Sequence, residues 1–154
     1  NAALILNLEP VIGVIYAPAL KRLFYSYGIG KAFEESNKIK INLNGKKKNK
    51  NKEIIAVSNS SYPSDEILKI HKKYLVNKFV NMRSSYKFCV IASGEFDLYA
   101  AKARAFEWDI AAGHAIVKHS GGVVSNLDNK EFKYGKKEFK NTSLLVRRSK
   151  NLYE

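Results

Sequence analysis

The sequence predicts one folded domain that contains both strands and helices, and three observations lead to this prediction. Apolar runs rich in β-branched residues have the length of strands, whereas two later stretches change to the spacing of an amphipathic helix. Of the 154 residues, 45% are hydrophobic, which is enough for the core of one domain. No run of about 18 or more apolar residues occurs, so a membrane-spanning helix is not expected. The single cysteine, Cys89, lies in an apolar run and favours a reducing, cytoplasmic setting.

The first half of the chain reads as a series of strands. Residues 1–6 and 11–17 are apolar and flank a turn that contains Pro10, which predicts a β-hairpin. Residues 23–27 are expected to form a third strand, and residues 53–58 a fourth.

The second half predicts helices between short strands. Ser64 can cap a helix that continues to about residue 76, and residues 86–92 fit either a helix or a buried strand. Asp109 is expected at the N-cap of a further helix, which stops at Gly121-Gly122. Short strands are expected at residues 96–99, 122–125 and 144–148.

A formal net charge of +13 raises the question of a polyanionic partner. Seven lysines lie within residues 38–52, and the second half of this stretch contains Lys and Asn but no aromatic side chain that could stack on bases. We therefore expect a solvated loop there and no nucleic-acid partner. A basic module that binds polyanions stays open as an alternative.

The residues around Asp109 have ordinary structural interpretations. We interpret Asp109 as a helix cap, with a role as a ligand as the alternative. We interpret Trp108 as a core residue rather than a cofactor contact. Glu107 is expected to face solvent, although an extended backbone would point it to the same side as Asp109 and allow a second ligand. His114 has no His or Glu partner one helical turn away. We therefore assign it either a packing role or the role of a neighbour that supports a metal ligand without touching the metal.

Residues 108–116 read WDIAAGHAI, and Ser120-Gly121-Gly122 follow them. This pattern resembles the second motif of the inositol monophosphatase family of Mg²⁺-dependent phosphatases. Other segments resemble the bacterial 3′(2′),5′-bisphosphate nucleotidase branch of that family in the same order, namely residues 3–5, 10–19, 30–33 and 84–89, Gly94 and Tyr99.

The resemblance implies a layered α+β sandwich, with residues 1–154 as its carboxy-terminal part. It also implies a Mg²⁺-dependent phosphomonoesterase that converts the small-molecule phosphate monoester 3′-phosphoadenosine 5′-phosphate to AMP and phosphate. An inositol monophosphatase-like activity and an inactive, degenerate chain are the alternatives.

The resemblance also assigns candidate site residues. Asp109 matches the family's metal-binding aspartate, which lies close to the substrate. Lys87 and Ser85 match the segment that holds the nucleotide in this branch. Ser58 and Ser61 lie where the branch has a phosphate-binding run.

The chain also departs from the family pattern. Asn59 and Ser61 replace an Arg and a His of the phosphate-binding run, and Arg83 replaces a Gly. The Glu-Glu pair and the Asp-Pro-x-Asp-Gly-Thr motif, which hold most of the metal shell in the family, do not occur in these residues. We therefore assign no catalytic residue here, and expect a complete site to need an amino-terminal half or a second chain. Strands without those partners are expected to expose an apolar edge.

Overall fold

The computed structural model describes residues 1–46 and 53–153. Single-turn 3-10 helices lie at Pro18–Leu20 and Lys137–Phe139. The strands and α-helices are, in chain order, β1 (Ala2–Leu6), β2 (Glu9–Ala17), β3 (Arg22–Ser26), β4 (Ala32–Ser36), β5 (Ile39–Asn42), β6 (Ile54–Ser58), α1 (Asp65–Lys73), β7 (Val76–Asn81), α2 (Tyr86–Ala92), β8 (Leu98–Ala101), α3 (Glu107–His119), β9 (Val123–Ser125) and β10 (Leu144–Arg147).

The first sheet contains β1 to β5 in chain order, and every neighbouring pair is antiparallel. The expected hairpin is its first pair, in which Asn7 and Leu8 adopt positive φ in the connecting turn. On β3, Phe24 is buried whereas its neighbours Leu23 and Tyr25 are partly exposed. The sheet therefore has one core face and one outer face.

The second sheet has the strand order β7-β6-β8-β10-β9. In this sheet β6 runs parallel to β7 and β8, while β10 runs antiparallel to β8 and β9. All five residues of β6 are buried, as expected of a central strand that is covered on both faces.

Helices α2 and α3 lie between the two sheets. Helix α3 contacts β2 of the first sheet and β9 of the second, and α2 contacts β2, β8 and β10. One apolar cluster joins all these layers and includes Phe24, Val57, Phe88 and Ile116. Helix α1 covers the opposite face of the second sheet, where Ile67 packs with a second cluster. The order of layers confirms the predicted layered α/β fold.

The strand β1 forms one edge of the first sheet, and all five of its residues are exposed. Its Leu4 and Leu6 are joined on the surface by Ile12 and Tyr16 of β2. The expected exposed apolar edge is therefore present. None of the helices in the described part of the chain is long and apolar enough to cross a membrane.

The structure corrects the helix that was expected to reach residue 76. Helix α1 ends at Lys73, and Leu75 takes a left-handed φ of 49° before the chain enters β7. The sequence pattern missed β7 because five of its six residues are exposed, so it shows no buried alternation. Ser64 stands at the N-cap, but its side chain makes no capping hydrogen bond.

Two other stretches are now assigned. Residues 86–92 form the helix α2 rather than a buried strand. Residues 39–42, which fall within the stretch expected to be a loop, form the edge strand β5. Residues 47–52 of the same stretch lie outside the described residues.

Gly13 marks the closest approach of β2 to α3. A Cβ at this position would overlap the carbonyl oxygen of Ala112 and lie 2.8 Å from the Cβ of Ala115. We predict that Gly13→Ala lowers the free energy of unfolding by about 1 to 3 kcal/mol, because the helix must move away from the sheet. Urea denaturation measures this, and unchanged stability would refute the close contact.

Candidate functional site

A cavity of about 630 Å³ opens where the starts of α2 and α3 meet the end of β8. Both helices begin at its wall. In α2 the amides of Tyr86, Lys87 and Phe88 already donate to oxygen atoms of Ser84 and Ser85, so the cationic side chains rather than these amides favour an anion here. Its charged and polar lining consists of Asn1, Asn59, Arg83, Ser84, Ser85, Lys87, Lys102, Arg104, Asp109, Asn141 and Thr142.

Asp109 lies on the wall of this cavity and is exposed. It occupies the third position of α3, so the expected N-cap assignment is wrong, because the extended Phe106 is the N-cap. The Phe106 N–H donates to Asp109 Oδ2 at 2.8 Å. Among the described residues, Oδ1 has no hydrogen-bonding partner and can accept a further contact.

Lys87 is the most deeply buried cation on the cavity wall, with 6% of the residue exposed. Its Nζ donates to the carbonyl oxygen of Ser84 at 2.6 Å and lies 4.9 Å from the centroid of the Tyr99 ring. Burial, assisted by the positive charge of Arg104, lowers the pKa of Lys87 to about 8. No carboxylate of the described residues forms an ion pair with Lys87.

The turn before α2 presents the serines of the site. Ser84 adopts a left-handed φ of 77°, and its hydroxyl accepts a hydrogen bond from the Tyr86 N–H at 3.3 Å. Ser85 donates from its hydroxyl to Asn1 Oδ1 at 2.9 Å. The turn thus joins the amino-terminal residue of the chain to the cavity wall.

Ser58 and Ser61 do not line the cavity. Ser58 is buried, and its hydroxyl closes a local turn by donating to the Ser60 carbonyl oxygen at 2.8 Å. Ser61 is exposed and accepts a hydrogen bond from Asn81 Nδ2 at 2.9 Å. Asn59, between them, does reach the cavity. The structure therefore brings together Asp109, Lys87 and Ser85, and leaves the other two serines aside.

Several cavity residues were not identified from the sequence. Lys102 and Arg104 alternate with alanines just before α3, and this basic pair was the available signal. Asn141 gives no sequence signal, but both polar atoms of its buried side chain lack a hydrogen-bonding partner among the described residues. Such atoms are costly unless a ligand or water contacts them.

The comparisons with known proteins agree with this architecture. The model of the inositol monophosphatase family matches residues 1–153. The chain belongs to this family. The CysQ 3′(2′),5′-bisphosphate nucleotidase of Salmonella typhimurium is 32% identical over 138 residues, which cover 90% of this chain and 54% of the relative. The corresponding CysQ of Buchnera aphidicola is 33% identical over 136 residues, which cover 87% of this chain and 49% of that relative.

Solved structures of the inositol monophosphatase family have the same fold. CysQ from Bacteroides thetaiotaomicron superposes with a TM-score of 0.82 at 27% identity, covering 97% of this chain and 62% of that one. An inositol monophosphatase of Thermotoga maritima gives a TM-score of 0.67 at 24% identity, with coverage of 95% and 54%. The chain thus spans about half the length of the curated relatives it matches.

The two residues before Asp109, Glu107 and Trp108, contact other parts of the protein and do not line the cavity. Glu107 was expected to face solvent, but it is buried and accepts hydrogen bonds from the Gly135 and Lys136 N–H groups at 3.0 Å. Although its burial acts in the opposite direction, the ion pair with the Lys136 side chain at 2.7 Å, together with these backbone bonds, lowers the pKa of Glu107. Trp108 was expected in the core, but it is 60% exposed and stacks on Phe106 at 4.8 Å.

His114 has the packing role that was expected of it. Its Nδ1 lies 3.0 Å from the hydroxyl of Tyr134, and its ring packs edge-on against Phe132. Burial lowers the pKa of His114 to about 3, so the imidazole is neutral at physiological pH. His114 therefore stabilises the segment that covers α3 rather than facing the cavity.

The described residues alone do not fit a magnesium site. Mg²⁺ requires several oxygen ligands in near-octahedral geometry, whereas Asp109 is the one carboxylate among the described residues that line the cavity. Nor do any three His, Cys, Asp or Glu side chains cluster elsewhere in residues 1–46 and 53–153. Four cationic side chains share the cavity wall with Asp109, so these residues suit an anion.

We predict that Lys87 titrates near pH 8 and that Arg104→Gln raises this pKa, because it removes a neighbouring positive charge. NMR titration of the lysine side chain measures both values, with Arg83→Gln as the control that leaves the pKa unchanged. Since the unfolded chain holds more protons between pH 8 and the ordinary pKa of about 10.4, stability should rise across that window. Lys87→Met should lack this rise, and an ordinary pKa for Lys87 would contradict the burial of its charge.

Proposed function

We propose that this chain forms the phosphate-binding side of a Mg²⁺-dependent phosphomonoesterase site. The substrate we propose is a 3′(2′),5′-bisphosphate nucleotide, and the reaction releases phosphate from 3′-phosphoadenosine 5′-phosphate to leave AMP. The observation that carries the proposal is the buried ammonium of Lys87, which has no carboxylate partner among the described residues and faces the cavity that Asp109 lines.

A phosphate group would satisfy this arrangement. A buried cation is stable when an anion pairs with it, and charge-assisted hydrogen bonds to phosphate are among the strongest that side chains form. Lys87 supplies the charge, Arg104 stands near it as a second cation, and the Ser85 hydroxyl can donate to the phosphate by exchanging its bond to Asn1 Oδ1. The unpaired amide of Asn141 can donate to, or accept from, the same ligand.

The bisphosphate class is favoured by charge and volume. Arg83, Lys87, Lys102 and Arg104 exceed what one phosphate needs, and a cavity of about 630 Å³ suits a nucleotide-sized ligand. The relatives named as 3′(2′),5′-bisphosphate nucleotidases support the same choice. An inositol monophosphatase-like activity is the alternative, because a sugar-like monophosphate would also meet Lys87 and Asp109.

In this proposal Asp109 holds one Mg²⁺ ligand position. A bound Mg²⁺ would supply Lewis-acid chemistry, by polarising a phosphoryl oxygen and lowering the pKa of a bound water. Asp109 contributes a carboxylate oxygen, Lys87 neutralises phosphate charge, and Ser85 orients the ester. Since one carboxylate cannot complete such a site, further acidic groups must come from outside the described residues.

We predict that the chain binds 3′-phosphoadenosine 5′-phosphate more tightly than AMP in isothermal titration calorimetry. Lys87→Met should weaken the binding by about tenfold to a hundredfold, because it removes a charge-assisted contact. Binding should also weaken above pH 8, where the free Lys87 amine loses its proton. Lys118→Met is the matched control, since Lys118 pairs with Glu9 at 2.5 Å and does not line the cavity.

Binding of inositol monophosphate in preference to the nucleotide would favour the alternative activity. Equal binding of any polyanion, without dependence on Lys87, would favour a basic polyanion-binding module instead.

We predict that the chain alone releases no phosphate from the bisphosphate nucleotide in the presence of Mg²⁺. Adding the part of the Salmonella typhimurium relative that this chain does not span should restore Mg²⁺-dependent release, and Asp109→Asn should abolish it. Turnover by the chain alone that disappears in Asp109→Asn would overturn the proposed division of the site. If neither the chain alone nor its mixture with the added part releases phosphate, an inactive chain is favoured.

A further inference from the structure

Arg22 on β3 joins the first sheet to helix α2. Its Nε donates to Glu34 Oε1 at 2.6 Å, which is a contact within the first sheet. Its Nη2 donates to Glu95 Oε1 at 2.5 Å, and its Nη1 donates to the hydroxyl of Tyr86. The guanidinium also lies 4.9 Å from the centroid of the Phe24 ring and 5.5 Å from that of Tyr86.

These contacts hold both ends of α2. Tyr86 is the first residue of the helix, and Glu95 follows three residues after its last residue, Ala92. Ser93, at the C-cap, donates from its hydroxyl to the same Glu95 Oε1 at 2.9 Å. One guanidinium therefore bonds to the first residue of the helix and to the turn that follows its last residue.

The helix needs such support from outside. It has seven residues, which is too short to be stable by its own hydrogen bonds in water. Its N-cap, Ser85, directly follows Ser84, whose left-handed φ is unfavourable for a residue other than glycine or asparagine. Its second residue, Lys87, is a buried cation near Arg104, and both burial and this like charge disfavour the charged ammonium at that position.

We propose that Arg22 is a positioning residue for the anion site, which keeps Ser85 and Lys87 on the cavity wall by fixing the start of α2. Arg22 itself does not line the cavity, so it acts through Tyr86 and Glu95 rather than by touching the ligand. That Arg22 tightens phosphate binding rests on the proposed function. That Arg22 keeps residues 84–88 ordered is a separate claim, which is measured without a ligand.

Three variants of the full chain separate positioning from general stability. Tyr86→Phe removes the hydroxyl that Arg22 contacts but retains the ring, and Glu95→Gln removes the charge that pairs with Arg22 at the far end. Glu34→Gln is the matched control, because it weakens an ion pair of the same guanidinium that lies within the first sheet, at 2.6 Å against 2.5 Å for the pair with Glu95. Urea denaturation of each variant gives its loss of stability.

Hydrogen exchange of residues 84–88 is the first measurement. Tyr86→Phe and Glu95→Gln should accelerate exchange there by roughly threefold to tenfold, and Glu34→Gln should leave it unchanged even where it lowers global stability more. Exchange that follows global stability in all three variants would overturn the proposal, because that is the behaviour of a merely structural residue.

Titration with inorganic phosphate is the second measurement. The dissociation constant should rise by roughly threefold to tenfold in Tyr86→Phe and Glu95→Gln, and stay constant in Glu34→Gln. An unchanged constant in the first two variants, beside normal binding by the unsubstituted chain, would overturn the positioning role alone. Absence of phosphate binding by the unsubstituted chain would overturn the proposed function, while a selective change in exchange would still support the contact of Arg22 with α2.

Discussion

The packing of Phe88 against Gly113 is the contact on which the site depends. A Cβ at position 113 would lie 2.6 Å from the Cβ of Phe88, so only a glycine lets α2 and α3 approach this closely. Phe88 follows Lys87 directly, and Gly113 lies one helical turn after Asp109. The contact lies immediately behind both cavity-facing residues and fixes their separation. Gly13 acts in the same way on the other side of α3, where it brings the helix onto β2.

Lys87 differs from the other buried Lys, Arg, Asp and Glu side chains of the described structure, because each of those has an ion-pair partner of opposite charge. Arg148 and Asp97 form a buried ion pair at 2.6 Å, and Glu107 is paired with Lys136 at 2.7 Å. Within residues 1–46 and 53–153, no carboxylate forms an ion pair with Lys87 or Arg104. Because leaving a buried charge unpaired is unfavourable, the unpaired ammonium of Lys87 supports the proposed anion site at this cavity.

The resemblance to the family allowed the layered fold and three cavity residues, Asp109, Lys87 and Ser85, to be predicted, whereas local patterns allowed individual strands and helices to be predicted. The periodicity of strands and helices is visible in neighbouring residues, and the motif around Asp109 is contiguous. The wrong predictions concern single residues within that motif. Trp108 was expected in the core because of its size, and Glu107 at the surface because of its charge, but α3 turns Glu107 toward the backbone amides of residues 135 and 136. No sequence pattern pairs residues so far apart.

The same limit explains why the role of Arg22 and of Asn141 emerges only from the coordinates. Arg22 meets Tyr86 and Glu95 at separations of 64 and 73 residues, and hydrophobic periodicity carries no information about such pairs. What periodicity does indicate is that β3 and α2 are both partly buried, which leaves their relative position undetermined. In the proposed role of Arg22, its ion pair adds a direction to this interface, because a charge-assisted hydrogen bond has defined geometry whereas apolar contacts are non-directional. The close packing at Gly13 and Gly113 then sets how near the elements lie, and the polar contacts set how α2 is oriented within that space.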